Sequence, residues 1–170
     1  IKGLSTGGKL GNGNLLVAEA DESDGSFLKL FPTIAVVTNI DREHLEQYQG
    51  DFEKLKRAFY DFVSRIPFYG VAILNVDDES VRELRDVERR KITYSIEGNA
   101  DITISNLELC PLGSEFDVYF EGNLLGRFEL NVPGVHNVSN ALSVIATALE
   151  LEIPVEKVKK GLLEFKGVER

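Results

Sequence analysis

At 170 residues, 43% hydrophobic and 28% charged, the chain has the length and composition of one globular domain with enough apolar side chain to form a core. Its formal net charge of -9 argues against nucleic acid or an anionic membrane as principal partner, because both reward a basic face. No apolar run reaches the roughly eighteen residues of a membrane helix, and the opening residues lack the pattern of a secretory leader, which fits a cytoplasmic protein. A single cysteine, Cys110, excludes an intrachain disulfide and reads as a small buried thiol.

Residues 1–14 are glycine-rich and aperiodic, an irregular lead-in. Within them Ser5-Thr6-Gly7-Gly8-Lys9 lacks the Gly-x-x-x-x-Gly-Lys-Ser/Thr spacing of a phosphate loop. Leu15 to Ala20 reads as a buried strand, and Ser23 to Leu30 as a short helix or turn capped by Ser23 or Asp24. Ile34 to Thr38 is a second apolar run, of the kind that a parallel sheet covered on both faces demands. From Asp51 to Ser64, Phe52, Leu55, Phe59, Phe62 and Val63 recur at helical spacing, with Asp51 as N-cap and Lys54, Lys56 and Arg57 on the solvated side. Val71 to Asn75 is the next strand, Glu79 to Asp86 a short helix, and Lys91 to Ser95 a further strand.

This order predicts an α/β fold with a mostly parallel sheet flanked by helices. After Gly98 the pattern alternates over 101–109, 115–120 and 124–131, and Glu121-Gly122-Asn123 is a hairpin signal. A small three-stranded antiparallel sheet attached to the main parallel one is therefore expected. Asn137 to Leu149 and Val155 to Phe165 read as helices, the second with Pro154 near its first turn. The chain holds no methionine and stops soon after a helical pattern, as a piece of a longer polypeptide would.

Chemistry concentrates where apolar runs become polar. Val17-Ala18-Glu19-Ala20-Asp21-Glu22-Ser23-Asp24 ends in a cluster of carboxylates, and Thr38-Asn39-Ile40-Asp41-Arg42-Glu43-His44 follows the next strand. In α/β folds ligands collect at the carboxyl ends of strands. Asp24 and Glu22 suit a solvated helix start, whereas Glu19, at the end of an apolar strand, calls for a cation or donors nearby. Mg²⁺ suits such carboxylates, because it takes few protein ligands and shares itself with phosphate. His44 reads either as a surface or capping residue or as part of that site. Asn137 and Asn140, one helical turn apart in Gly134-Val135-His136-Asn137-Val138-Ser139-Asn140-Ala141, are either helix caps or amides for an adenine edge.

Taken in order, Glu19 to Asp24, Thr38 to His44, Tyr48-Gln49-Gly50-Asp51-Phe52, Pro67-Phe68-Tyr69-Gly70 and Gly134 to Ala141 resemble the Mur ligases, ATP-dependent amide-forming enzymes of bacterial cell-wall precursor synthesis. The resemblance covers nearly the whole chain. It implies most of a central ATP-binding domain, with the phosphate loop before it, a UDP-binding domain at the amino-terminal side and an amino-acid-side domain beyond. The chain by itself would then be inactive. The nearest branch joins L-alanine to UDP-N-acetylmuramate through an acyl-phosphate; a branch joining a recycled peptide to the same nucleotide sugar, and a noncatalytic nucleotide-binding module of the same ancestry, remain alternatives. The resemblance further implies that Glu19 ligates the Mg²⁺ on the ATP phosphates, His44 a second Mg²⁺, and that Asn39 lines the substrate side. His136, Asn137 and Asn140 would lie near adenine, and Arg170 would open the Arg-Arg pair at the domain junction. Phe59 stands near the register where many of the family carry a carbamylated lysine, with Lys56 a turn earlier, so neither receives that role.

Overall fold

In the computed structural model the described residues are 10–43 and 45–167. Six strands form one sheet in sequential order. The first three, β1 (Ile34–Val37), β2 (Val71–Asn75) and β3 (Lys91–Tyr94), are parallel, with Ile34 opposite Val71 and Ala72 opposite Lys91. Successive side chains of a strand point to opposite faces, and β2 is apolar on both. Ala72 and Leu74 join Ala35 and Val37 under α1 (Phe52–Ser64) and α2 (Glu79–Glu83). Val71 and Ile73 join Ile92 and Tyr94 under α3 (Val135–Glu150), which buries Val138, Leu142, Ile145 and Ala146.

The start of β2 is held close to the chain before β1: the Val71 amide donates to the Thr33 carbonyl at 3.0 Å. A Cβ at Gly70 would lie 2.3 Å from that same oxygen, so the approach requires glycine. Helix α1 begins where the sequence predicts, because the Asp51 carboxylate accepts the Glu53 and Lys54 amides at 2.9 and 3.4 Å.

The expected antiparallel part is present, attached to the parallel strands as a continuation of the same sheet. Strand β4 (Ile102–Cys110) meets β3 in parallel at Tyr94 opposite Ile102, then pairs antiparallel with β5 (Gly113–Phe120), which pairs with β6 (Asn123–Leu130). The reason is a shared cover. Phe116, Val118, Phe128 and Leu130 are buried in the same core as Val71 and Ile73, with α4 (Val155–Glu164) contributing Val158 and Leu162. Between β5 and β6, Glu121 and Gly122 both take positive φ, 48° and 79°, as a two-residue hairpin matched to strand twist requires.

Two local expectations fail and a third, the short helix or turn over Ser23 to Leu30, holds in reduced form. Leu15 to Ala20 is not a strand: the segment is irregular, and Leu16 and Val17 are 92% and 94% exposed. Apolar content supplies the capacity for a strand, but none of the ladders among the described residues includes it and nothing covers it. Within Ser23 to Leu30 only Ser26–Lys29 is helical, as a single 3-10 turn entered through Gly25 at φ 70° with no side-chain cap. Cys110 is exposed, since it sits at the end of β4 beside the turn to β5. The lead-in through residue 9, with its glycine-rich Ser5 to Lys9, lies outside the described residues.

Candidate functional site

Parallel pairing delivers the carboxyl ends of β1, β2 and β3 to one edge of the sheet, and polar side chains knit that edge together. The Asn75 amide nitrogen, at the end of β2, donates to the Thr38 carbonyl just past β1 at 2.8 Å, while its oxygen accepts the Asp77 amide at 3.2 Å. Beyond Thr38 the bonding continues outward: the Thr38 hydroxyl donates to Asn39 Oδ1 at 2.9 Å, and Asn39 Nδ2 donates to Asp41 at 2.6 Å. On the other side of β2, Asp77 accepts the Ser95 hydroxyl and, at 2.7 Å, the Ile96 amide. Asn75 and Asp77 thus fasten the loops after β1 and β3 to the end of β2.

The acidic segment lies against the same region. Asp21 and Asp24 each accept an amide two residues on, from Ser23 at 2.8 Å and Ser26 at 2.7 Å. Ser26, through its hydroxyl and then its amide, holds the Asp24 carboxyl below its ordinary range. Tyr48 is buried and donates its hydroxyl to the Glu22 carbonyl at 2.7 Å. Burial, followed by the charges of Glu22, Asp24 and Asp21, pushes the Tyr48 phenol above its usual value, so the ring keeps its proton as a donor. Next to the segment leading to position 44, a cleft of about 420 Å³ opens between Asp41, Arg42, Phe52, Lys56 and Glu83. The Arg42 guanidinium lies 4.9 Å from the Phe52 ring centroid, and Lys56 bridges Glu53 and Glu83, both at 2.9 Å.

The sequence-derived residues fare differently. Glu19 is exposed on the irregular segment, so the desolvation cost argued from a buried strand end does not apply to it. Asn39 is exposed and bonded as described. His44 and Arg170 lie outside the described residues. His136 is exposed in the first turn of α3, its ring folded over Gly134: a Cβ there would stand 2.7 Å from Cε1. Asn137 is half-buried and donates to the Pro133 carbonyl at 2.7 Å, α3 being entered through Gly134 with no side-chain cap, and Asn140 is exposed. The start of α3 sits at the carboxyl end of β3, where the buried Tyr94 hydroxyl, its pKa raised by burial, lies beside Ser139 and Ser143.

Sequence reasoning missed Asn75, Asp77 and Tyr48. The signal for Asn75 was present, since a polar residue closing an apolar strand is the same feature that singled out Glu19. Tyr48 stands in the Tyr48 to Phe52 block, but nothing near it in sequence points to its partner, which lies 26 residues away. Among the described residues no group of three or more His, Cys, Asp or Glu side chains is arranged to hold a metal ion, and no helix is long and apolar enough to cross a membrane.

Comparison with known proteins follows the same lines. Residues 12–148 match the Mur ligase middle domain. A UDP-N-acetylmuramate--L-alanine ligase of Geobacter sulfurreducens is 48% identical over 168 residues, covering 98% of this chain and 36% of the relative. A protein of the same description from Chromobacterium violaceum is 51% identical over 173 residues, covering 100% of this chain and 37% of its own length. The chain therefore spans little more than a third of the relatives it matches. The crystal structure of a UDP-N-acetylmuramate-alanine ligase from Thermotoga maritima superposes with a TM-score of 0.77 at 28% identity, covering 89% of this chain and 33% of that one. The middle-domain match spans most of the chain and these relatives match nearly all of it, so the chain belongs to the Mur ligase family.

Proposed function

We propose that this chain is most of the ATP-binding central domain of a ligase that joins L-alanine to UDP-N-acetylmuramate in the cytoplasm, as a step of peptidoglycan precursor synthesis. One observation carries the reading: identity of 48–51% to ligases of that description holds over 98–100% of the chain. UDP-binding and amino-acid-side domains of the same polypeptide would complete the enzyme.

In the reaction, the substrate carboxylate attacks the γ-phosphorus of ATP and ADP departs, leaving an acyl-phosphate. The amine of alanine then adds to the acyl carbon, and the tetrahedral intermediate expels inorganic phosphate as the amine loses its proton. Two anions must be brought together in the first step, so positioning and charge neutralisation dominate the barrier. Mg²⁺ would supply that neutralisation, with Glu19 and His44 as its protein anchors. The donor set supports this fit. Glu19 offers an exposed carboxylate, a hard oxygen donor of the kind that Mg²⁺ takes beside water and phosphate.

Asn39, held by Thr38 and holding Asp41, would present its loop to the substrate carboxylate. His136, Asn137 and Asn140 at the start of α3 would line the adenine, and Arg170 would bring a cation to the nucleotide from the following junction. The test is an assay of the polypeptide at the relatives' full length, following ADP formation with UDP-N-acetylmuramate and either alanine or the recycled peptide. Alanine-dependent turnover is expected; preference for the peptide, or no turnover with either, would reject the proposal.

A further inference from the structure

We infer that Tyr48 is a positioning residue, whose hydroxyl pins the acidic loop carrying Glu19 and Glu22 to the loop that follows β1. The inference rests on the ligase reading for its kinetic consequence, and on geometry for its substance.

Tyr48 is held from both sides. Its carbonyl accepts the Asp51 amide at 3.1 Å, and Asp51 caps α1, so the backbone at Tyr48 is fixed to the start of a helix. Its ring is buried in the core that contains Phe27, Ile40 and Leu55. From that base the hydroxyl reaches the Glu22 carbonyl at 2.7 Å. The same carbonyl closes the local turn by accepting the Gly25 amide at 3.1 Å. Losing the phenol oxygen would therefore leave the turn intact and remove the tie between loops.

Phe27 and Leu28 also anchor the acidic loop in this core. Phe27 packs its ring 5.2 Å from Phe59 and 5.1 Å from Phe62 of α1. That contact fixes the carboxyl-terminal end of the loop, whereas the exposed stretch through Glu19 is on the other side of Glu22. The Tyr48 hydroxyl is placed at the boundary between the packed and the exposed portions. A bond there sets how much of the acidic segment moves with the core, and so how firmly its carboxylates are positioned.

The test compares Tyr48→Phe with the wild type, both at full length, by hydrogen–deuterium exchange and by Mg²⁺ titration of ADP formation. Faster exchange is expected over 22–26 with α1 unchanged, together with about a threefold to tenfold rise in Mg²⁺ half-saturation, the size of one net hydrogen bond, and kcat within about twofold. Tyr60→Phe, altering a ring exposed on α1, should leave both readouts at wild-type values. Wild-type exchange over 22–26 in the Tyr48→Phe protein would overturn the inference, as would uniform acceleration across α1 and β2 or the same shift in both variants. If the wild-type enzyme turns over neither alanine nor peptide, the ligase reading fails alone, because exchange still decides whether Tyr48 holds the loop.

Discussion

Phe116 and Val17 each sit in a stretch of strand length, yet Phe116 is fully buried and Val17 is 94% exposed. Strand β5 has a neighbour on each edge, β4 and β6, and shares a core with α3. Residues 15–20 enter none of the ladders among the described residues. Strand length and apolar side chains are common to both; pairing and cover are not. A strand is stabilised by its neighbours' hydrogen bonds and by burial, and an isolated one gains neither. The functional consequence follows the same division. The proposed adenine-side residues stand on a helix seated in the main core, while the acidic segment depends on a few anchors such as Phe27 and Tyr48, and low local stability is the usual condition of segments that engage ligands.

The sharpest way to break this contrast is to truncate both sides of it. Phe116→Ala should destabilise the protein by about 3–5 kcal/mol, read by urea unfolding, because it leaves a cavity in the shared core. A loss below about 1 kcal/mol would show that the antiparallel extension is not tied to α3 as described. Glu19→Ala should lower Mg²⁺-dependent ADP formation by about a hundredfold or more while the melting temperature stays within about 2 °C, since its side chain is exposed. Near-normal turnover at saturating Mg²⁺ would remove Glu19 from the metal site.

Between these extremes, Asn75→Ala should cost about 1–3 kcal/mol, because the Thr38 carbonyl loses its donor at a half-buried position. Faster amide exchange confined to the loop after β1 is the accompanying sign, and its absence would mean that the loop is held by other contacts. Asp51→Ala should cost about 1 kcal/mol through loss of the α1 cap, measured the same way. Smallest of all, Leu16→Ser should change stability by less than about 0.5 kcal/mol, as expected of a residue that is 92% exposed. A larger loss there would mean that the segment is covered in solution and would erase the contrast with β5.

Much of the candidate site was legible because polar residues at the ends of apolar runs mark strand ends. That reasoning located Asn39, and applied evenly it would have located Asn75, whose bond to Thr38 spans 37 residues. It misjudged Glu19 by treating the apolar run before it as a buried strand. The bond that Asn137 makes was readable only from coordinates, since its donation to Pro133 is a detail of how the chain enters α3.

What the amino-acid order determined unaided is what forms within a few residues. Helix α1 with its Asp51 cap, the apolar β2 and the Glu121–Gly122 turn each depend on groups close along the chain. Tertiary structure alone decided that β4 to β6 continue the parallel sheet, that residues 15–20 stay outside it, and that Tyr48 reaches Glu22 and Asn75 reaches Thr38. Those outcomes require surfaces and hydrogen-bond partners distant in sequence, so they are set by which elements share a core and not by the propensity of any one segment.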